Sequence, residues 1–329
     1  MTSLVSLDAC LGQALRGLEK VPARPVPVGL AVGGVLAEQL VFPQDCPGTA
    51  QALREGLAVA ALDLMGASAQ MPLDTHPVPV VPGQDMPAGT DAILLPGDID
   101  RATTPPQALR APHPGEGVRL AGHDARRGAP MAQAGQIVTA RLALVAELAG
   151  VAELALRRPH VAITLRDPML ARYASAFVQA HGATIDDHHP DMVLRDTDTN
   201  QPRLALMPGE TAWLARHDGV LVLDLPPRFD GMLAALLALG LPALRALTGQ
   251  DMNTVPVTLA RKLVSAIGMT ELALLIPDTQ GWIPETAGTA RLSAIARAGA
   301  FVLVAPEIEG YPAGATLTAL PLETRFAQV

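Results

Sequence analysis

Between residues 158 and 252 short apolar runs alternate with two sharply bounded helical runs, and this alternation limits the chain more than any other feature. Residues 161–165 read as an apolar strand. Asp167 follows as a helix N-cap, Pro168 sits in the first turn, and Gly182 ends the helix. An oxygen side chain satisfies free amides at a helix start, proline tolerates the first turn, and glycine accepts the left-handed exit. Residues 192–194, 204–206 and 220–223 read as further strands, and 229–247 as a long apolar helix stopped by Gly249. Strand, helix, strands, helix predicts an α/β layer with a mainly parallel sheet. Ligands of such sheets sit where strand C-termini meet helix N-termini. Here those places run from Thr164 to Pro168 and from Asp224 to Asp230.

The flanks have a different texture. Residues 7–18 form an amphipathic helix, with Leu7, Leu11, Ala14, Leu15 and Leu18 on one face. An apolar segment spans 28–42 and stops at Pro43. Residues 72–114 are rich in Pro and Gly and read as short strands, including 92–95, joined by turns. A second amphipathic helix covers 137–149 and closes at Gly150. Beyond residue 255 the chain returns to strands at 272–276, 301–305 and 316–322, with a short helix at 292–298. The fold class expected is α/β plus β in an elongated, multi-domain arrangement.

Several function classes are excluded. A chain that is 49% hydrophobic can bury a sizeable core. A net charge of −8 without basic blocks makes a poor general nucleic-acid binder. Cys10 and Cys46, with no CxxC, argue against a zinc ribbon or a disulfide framework. No GxSxG, dinucleotide fingerprint or P-loop occurs. The longest charge-free apolar run, 231–244, has 14 residues and contains Gly240 and Pro242. It falls short of the ~18 residues a membrane span needs. No basic lead precedes an apolar run at the N-terminus, so a soluble cytoplasmic protein without a membrane partner is expected.

Seven segments in order resemble the molybdenum insertase family (molybdopterin molybdenumtransferase, MoeA/gephyrin type). VGLAVGGVLAEQLVFPQDCP, from residue 28, resembles the family's "L-x-x-A-x-G-R-V-L-A-E-D" helix and following strand. REGLAVAALDLMGAS, from residue 54, resembles "D-G-Y-A-V-x-A-x-D", and PGQDMPAGTDAILL, from residue 82, resembles "T-G-A-x-L-P-x-G-A-D-A-V-V". GEGVRLAGHDARRGAPMAQAG, from residue 115, resembles the family's glycine-rich turn segment. LALMPGETAWL stands where "K-P-G-K-P" is expected, and GVLVLDLPPRF where "G-L-P-G-N-P" is expected. EGYPAGATLTALPL fits the ending of the C-terminal barrel.

The resemblance implies four regions. Residues 1–50 and 110–157 would form an N-terminal linking and dimerisation domain, with 51–109 as a shortened β-rich insert. Residues 158–252 would be a molybdopterin-binding-like α/β domain, and 253–329 a small β-barrel-like domain. It also implies a homodimer, molybdopterin or adenylated molybdopterin as ligand, and Mg²⁺ beside it. The family's reaction takes adenylated molybdopterin and molybdate to molybdenum cofactor and AMP. Glu55 and Asp167 take the positions of the family's acids. Thr164, Pro208, Gly209, Glu210, Asp224, Pro226 and Arg228 fall in its ligand-binding segments. Gly83, Pro87, Gly89, Asp91 and Asp124 fall in turns it uses structurally.

The departures lie at the reacting groups. The loop "S-T-G-D-E-L" is missing, because ITLRDPML runs straight into the next helix, and the glycine-rich "S-G-G-x-S-x-G-x-x-D" loop has no counterpart. "P-G-K-P" reads Pro208-Gly209-Glu210-Thr211, so a phosphate-facing cation has become an anion; only Lys20 and Lys262 are lysines in the whole chain. A lost charge-assisted donor weakens anion binding by about 1.5–3 kcal/mol, and a facing like charge adds about 1 kcal/mol. Ordinary insertase turnover is therefore not expected. The expected function is insertase-like handling of molybdopterin. The alternative is a non-catalytic scaffold or partner subunit that pairs with an intact insertase or a molybdoenzyme. A third reading keeps the groove for a cationic or neutral ligand facing Glu210 and Asp224. The run Asp186-Asp187-His188-His189-Pro190-Asp191 reads as a solvated loop before a strand in preference to a metal cluster, and no metal site is assigned.

Overall fold

The computed structural model describes residues 4–198 and 201–322. Two compact units emerge, one from residues 1–38, 133–143 and 153–329, the other from 39–132 and 144–152.

In the first unit, a five-stranded sheet carries the α/β layer. Its order is Thr184–Ile185, His160–Thr164, Met192–Asp196, Val220–Leu225, Trp213–His217. The first three pairings are parallel and the last is antiparallel. The mainly parallel layer is therefore present, with an antiparallel edge. That edge strand buries only Leu214, with Trp213, Ala215 and Arg216 half-buried and His217 exposed, against Val220–Leu225, whose residues are nearly all buried. Pro168–Ala180 follows the strand His160–Thr164 directly. The Asp167 carboxylate caps it, accepting from the Met169 and Leu170 amides at 2.8 and 3.2 Å. Leu170, Ala174, Phe177 and Val178 form its buried face.

Phe229–Thr248 is a continuous 20-residue helix with an all-round apolar surface. By length and composition alone it could cross a membrane, yet 83% of its apolar 18-residue stretch is buried inside the protein. Its middle, Leu236–Gly240, winds as a π-helix just ahead of Pro242. Proline has no amide hydrogen to donate, and such widened turns commonly absorb the gap. A helix apolar on every side belongs in a core, and its leucines form the largest single part of this unit's core. The N-terminal helix is Leu7–Leu15, shorter than expected, and seats Leu7, Cys10 and Ala14 in the same core.

A second, six-stranded sheet runs Leu206–Met207, Thr270–Asp278, Ala300–Val304, Thr316–Pro321, Val255–Thr258, with Gly281–Pro284 paired on Thr270–Asp278. The helix beside it is one turn, Leu292–Ile295. A small sheet of Arg24–Pro27, Glu153–Arg157 and Val35–Leu36 and the pair Leu263–Val264 with Gly310–Tyr311 also belong to this unit. The strand Glu153–Arg157 was not foreseen. The apolar stretch 28–42 gives one 3-10 turn, Val28–Leu30, and two short strands, not an α-helix. Glycines decide this. Gly33 has a left-handed φ of 84°, and a Cβ on Gly34 would lie 2.6 Å from the Leu156 side chain.

The second unit is built of short antiparallel strands. Gly56–Val59 sits between Val78–Val80 and Ala92–Leu94, and Gln107–Ala108 between Leu73–Asp74 and Ile99–Asp100. Leu57, Val59, Leu64, Ala92, Leu94 and Ile99 fill one of its cores.

Candidate functional site

In the α/β sheet, strands His160–Thr164, Met192–Asp196 and Val220–Leu225 end side by side. Their C-terminal edge carries Arg166, Arg195 and Arg228 against Asp167, Asp196, Asp224 and Asp230. The pairing between these groups is nearly complete. Arg195 and Asp224 are register partners on neighbouring strands, and their side chains form an ion pair. Asp224 holds the Arg195 guanidinium above its usual range through this hydrogen bond. Arg166 donates its Nε and its own backbone amide to one oxygen of Asp196, at 2.8 and 3.1 Å. Arg228 pairs with Asp230 two residues on, and Asp230 also accepts from the Gly231 amide at 2.9 Å.

These three pairs differ in strength. The Arg166 and Arg228 side chains are 87% and 81% exposed. Exposed pairs contribute about 0–1 kcal/mol, so an incoming oxyanion can take either arginine from its partner. Asp224 is only 2% exposed, and removing its partner would leave a buried charge, which is far costlier.

The segment that resembles "P-G-K-P" is held between two structures. Leu206–Met207 pairs in parallel with Thr270–Asp278, Met207 opposite Glu271. Pro208 and Gly209 are buried, and Gly209 lies against the start of the Phe229–Thr248 helix. A Cβ on Gly209 would sit 3.3 Å from the Gly231 carbonyl oxygen, and one on Gly231 would sit 3.1 Å from Pro226. With φ at 123°, Gly209 also occupies backbone space that other residues avoid. Glu210 is half-buried and turns its carboxylate onto the preceding Gly209 amide at 3.3 Å.

The expected ligand-facing residues therefore divide. Thr164 and Arg228 are exposed and Glu210 is half-buried, whereas Pro208, Gly209, Asp224 and Pro226 are buried. The Thr164 hydroxyl donates to the Leu194 carbonyl at 3.4 Å. Asp167 is committed to its cap. Arg166, Arg195 and Asp196 were missed in the sequence, although they stand at strand ends as Thr164 and Asp224 do.

Glu55 belongs to the other unit and is exposed beside Gly56. Gly56 itself admits no side chain, since a Cβ there would lie 2.4 Å from Ile93 and 2.6 Å from the Leu94 carbonyl oxygen. Arg54 donates to the Ile93 carbonyl at 2.7 Å and to Glu116 at 3.0 Å. Arg110 reaches both Glu116 and Asp98. The Arg110 guanidinium holds the Glu116 carboxyl down to about 2, with the His113 amide and Arg54 adding to it. Gly83 and Gly89 turn with φ of 82° and 80°, and the Pro87 carbonyl accepts from the Thr90 amide and hydroxyl. Asp91 accepts from the Ala61 amide at 2.7 Å, and Asp124 pairs with Arg119.

In the Asp186–Asp191 run, Asp186 accepts from the His188 amide at 2.9 Å and pairs with His160 Nδ1 at 2.7 Å. Asp191 accepts from the His160 amide. The bonds from the His188 amide and the His160 ring hold the Asp186 carboxyl below its usual range, the His188 amide contributing most. Among the described residues no three His, Cys, Asp or Glu side chains gather to hold a metal ion. The strand-end carboxylates are each tied to an arginine or a backbone amide, so the donor set does not fit the Mg²⁺ that the resemblance implies.

Residues 5–150 match the family model of the MoeA N-terminal region, domains I and II. Two solved structures of the molybdopterin biosynthesis MoeA protein from Pyrococcus horikoshii share the fold. One is 19% identical with a TM-score of 0.72, covering 97% of this chain and 99% of that one. The other is 18% identical with a TM-score of 0.73, covering 97% and 100%. A molybdenum cofactor biosynthesis protein from Pyrococcus furiosus aligns at 15% identity and a TM-score of 0.61, again over 97% and 100%.

Proposed function

We propose that the chain is a MoeA-family member, with the family's N-terminal region in residues 5–150, and that it binds molybdopterin in molybdenum cofactor biosynthesis without inserting molybdate efficiently. The observation carrying this reading is the pairing of arginine with aspartate along the strand-end edge. Arg166 and Arg228 are exposed and can exchange a carboxylate for a phosphate oxygen. Arg195 is locked to a buried partner, and Glu210 sets a negative charge where the resembled motif has lysine.

What these residues do chemically is hold an anion. Arg228 reaches it from the start of the Phe229–Thr248 helix, and Arg166 from the end of the neighbouring strand. A transition state that gathers negative charge around molybdate needs more fixed donors than two swappable arginines provide. No step is assigned to a divalent cation.

The test mixes the protein with molybdopterin, and separately with adenylated molybdopterin, Mg²⁺ and molybdate. Pterin is expected to co-elute with the protein, and Arg228→Gln to weaken it about tenfold. AMP release is expected to fall at least about a thousandfold below an intact insertase. Absence of pterin binding overturns the reading, and so does AMP release at the intact enzyme's rate.

A second reading rests on the same neutralised edge: a scaffold that homodimerises or completes the site of an intact insertase or a molybdoenzyme. Light scattering and co-purification from the native host decide it. A strict monomer recovering no such partner removes this reading.

A further inference from the structure

The second sheet of the first unit borders a cavity of about 410 Å³ that the strand-end edge does not include. Its wall is formed by the hairpin Thr270–Asp278 and Gly281–Pro284, the turn Leu292–Ile295, and the loop after Val255–Thr258. Arg261, Lys262, Arg291 and Arg297 all line it. They are every basic residue between positions 253 and 322, a stretch that holds five acids and belongs to a chain of net charge −8. Against that acidic background the convergence is specific.

The backbone fixes the convergence. The Ala260 amide donates to the Trp282 carbonyl at 2.8 Å, which lays the Arg261–Lys262 loop along the hairpin. The Glu285 amide donates to the Leu274 carbonyl at 2.8 Å. The Glu285 side chain, 5% exposed, then holds Arg291 at 2.7 Å. The side chains of Arg261, Lys262 and Arg297 make no ion pair or hydrogen bond among the described residues, and each residue is exposed. Ser293 and Thr286 add hydroxyls to the wall, and Ile276, Ile283, Pro284 and Ala294 supply an apolar side.

We propose that this cavity is a second anion site, for a small phosphate ester with an apolar or planar body. Three unpaired cations match the charge of a di- or triphosphate. The hydroxyls match its remaining oxygens, and the apolar wall matches a ring system laid against it. The volume lies in the range of small-molecule pockets. Glu285 serves as a positioning residue, because it orients Arg291 and excludes ligands that carry a positive charge. This site does not rest on molybdopterin binding at the strand-end edge.

The test is calorimetric titration of the full chain with ATP, pyrophosphate, adenosine and a poly-glutamate peptide. ATP is expected to bind more tightly than pyrophosphate, with adenosine undetected, and the affinity is expected to fall with added salt. The triple variant Arg261→Gln/Lys262→Gln/Arg297→Gln is expected to lose roughly thirtyfold or more in ATP affinity. All three side chains are exposed, so its thermal midpoint should match the parent, and circular dichroism checks this. Its molybdopterin binding is expected to be unchanged. No ATP binding by the parent overturns the proposal. Binding that survives in the triple variant but fails in Arg166→Gln/Arg228→Gln also overturns it, by moving the nucleotide to the strand-end edge. Binding of poly-glutamate with none of ATP replaces it with an acidic protein partner.

Discussion

Arg195 and Asp224 face one another across adjacent parallel strands, the guanidinium Nε donating to Oδ1 at 2.5 Å and Nη2 reaching Oδ2 at 3.4 Å. The pair is lopsided, since the arginine side chain is 42% exposed and the aspartate 2%. Its two halves should therefore respond unequally to removal. Arg195→Met strands a buried carboxylate and is expected to destabilise by about 3 kcal/mol. Asp224→Asn leaves a guanidinium that can reach water and is expected to lose about 1 kcal/mol. Urea denaturation of both variants measures the order. A milder Arg195→Met would mean that the aspartate is solvated.

Glu210 gives a gain-of-function test. Its carboxylate lies on the Gly209 amide and is half-buried. Glu210→Lys removes the like charge and restores a cation at the position where the resembled motif carries one. Molybdopterin affinity is expected to rise about tenfold at low salt, and less at high salt. Titration of parent and variant at two salt concentrations reads this, and an unchanged affinity would place the phosphate elsewhere.

Gly56 has no room for a methyl group. Gly56→Ala puts a carbon 2.4 Å from Ile93 and 2.6 Å from a backbone oxygen. The strand Gly56–Val59 must shift, and a loss of about 1–3 kcal/mol is expected from overpacking. At Gly83 a Cβ meets nothing within 4 Å. Gly83→Ala suffers only from its positive φ and is expected to lose about 1 kcal/mol. Equal losses at the two sites would contradict the steric argument.

Acid should loosen the second unit through Glu116. Its carboxyl is held at about 2, below an ordinary value of 4.5, chiefly by Arg110. A depressed value means that this contribution is complete above pH 4.5 and disappears as the pH falls toward 2. Glu116→Gln should lower the melting temperature at pH 7 and flatten its dependence on pH between 4.5 and 2. Thermal melts across that range are the measurement, and an unaltered slope would assign the acid sensitivity to another group.

The α/β layer was legible because its signals are local. Asp167 and Pro168 mark one helix start, Gly249 marks one helix end, and the strand Val220–Leu225 is apolar almost throughout. Trp213–His217 was missed because its polar residues suit an edge strand but resemble a loop. Glu153–Arg157 was missed because its partners, Arg24–Pro27 and Val35–Leu36, lie more than a hundred residues earlier. The same distance in sequence hid the chemistry of the edge. Nothing local pairs Arg195 with Asp224, since only the register of two separated strands does so. Arg228 and Glu210 were found through the motif positions they occupy. Arg166 and Asp196, which occupy none, were not.

The order in which the first unit's segments leave the ribosome has a consequence of its own. Residues 4–38 are made before the rest of this unit, and several of their partners come much later. Val5 donates to the Arg203 carbonyl, Cys10 Sγ to Leu214 and the Val21 amide to Leu247. The second unit's main segment, 39–132, is finished before any of those partners exist. During synthesis the Leu7–Leu15 helix therefore waits with Leu7, Cys10 and Ala14 uncovered while more than two hundred further residues emerge. Exposed apolar surface of this kind is what chaperones bind and what aggregates form from. The Leu7–Leu15 helix, a minor element in the finished protein, thus depends on protection while the chain is incomplete.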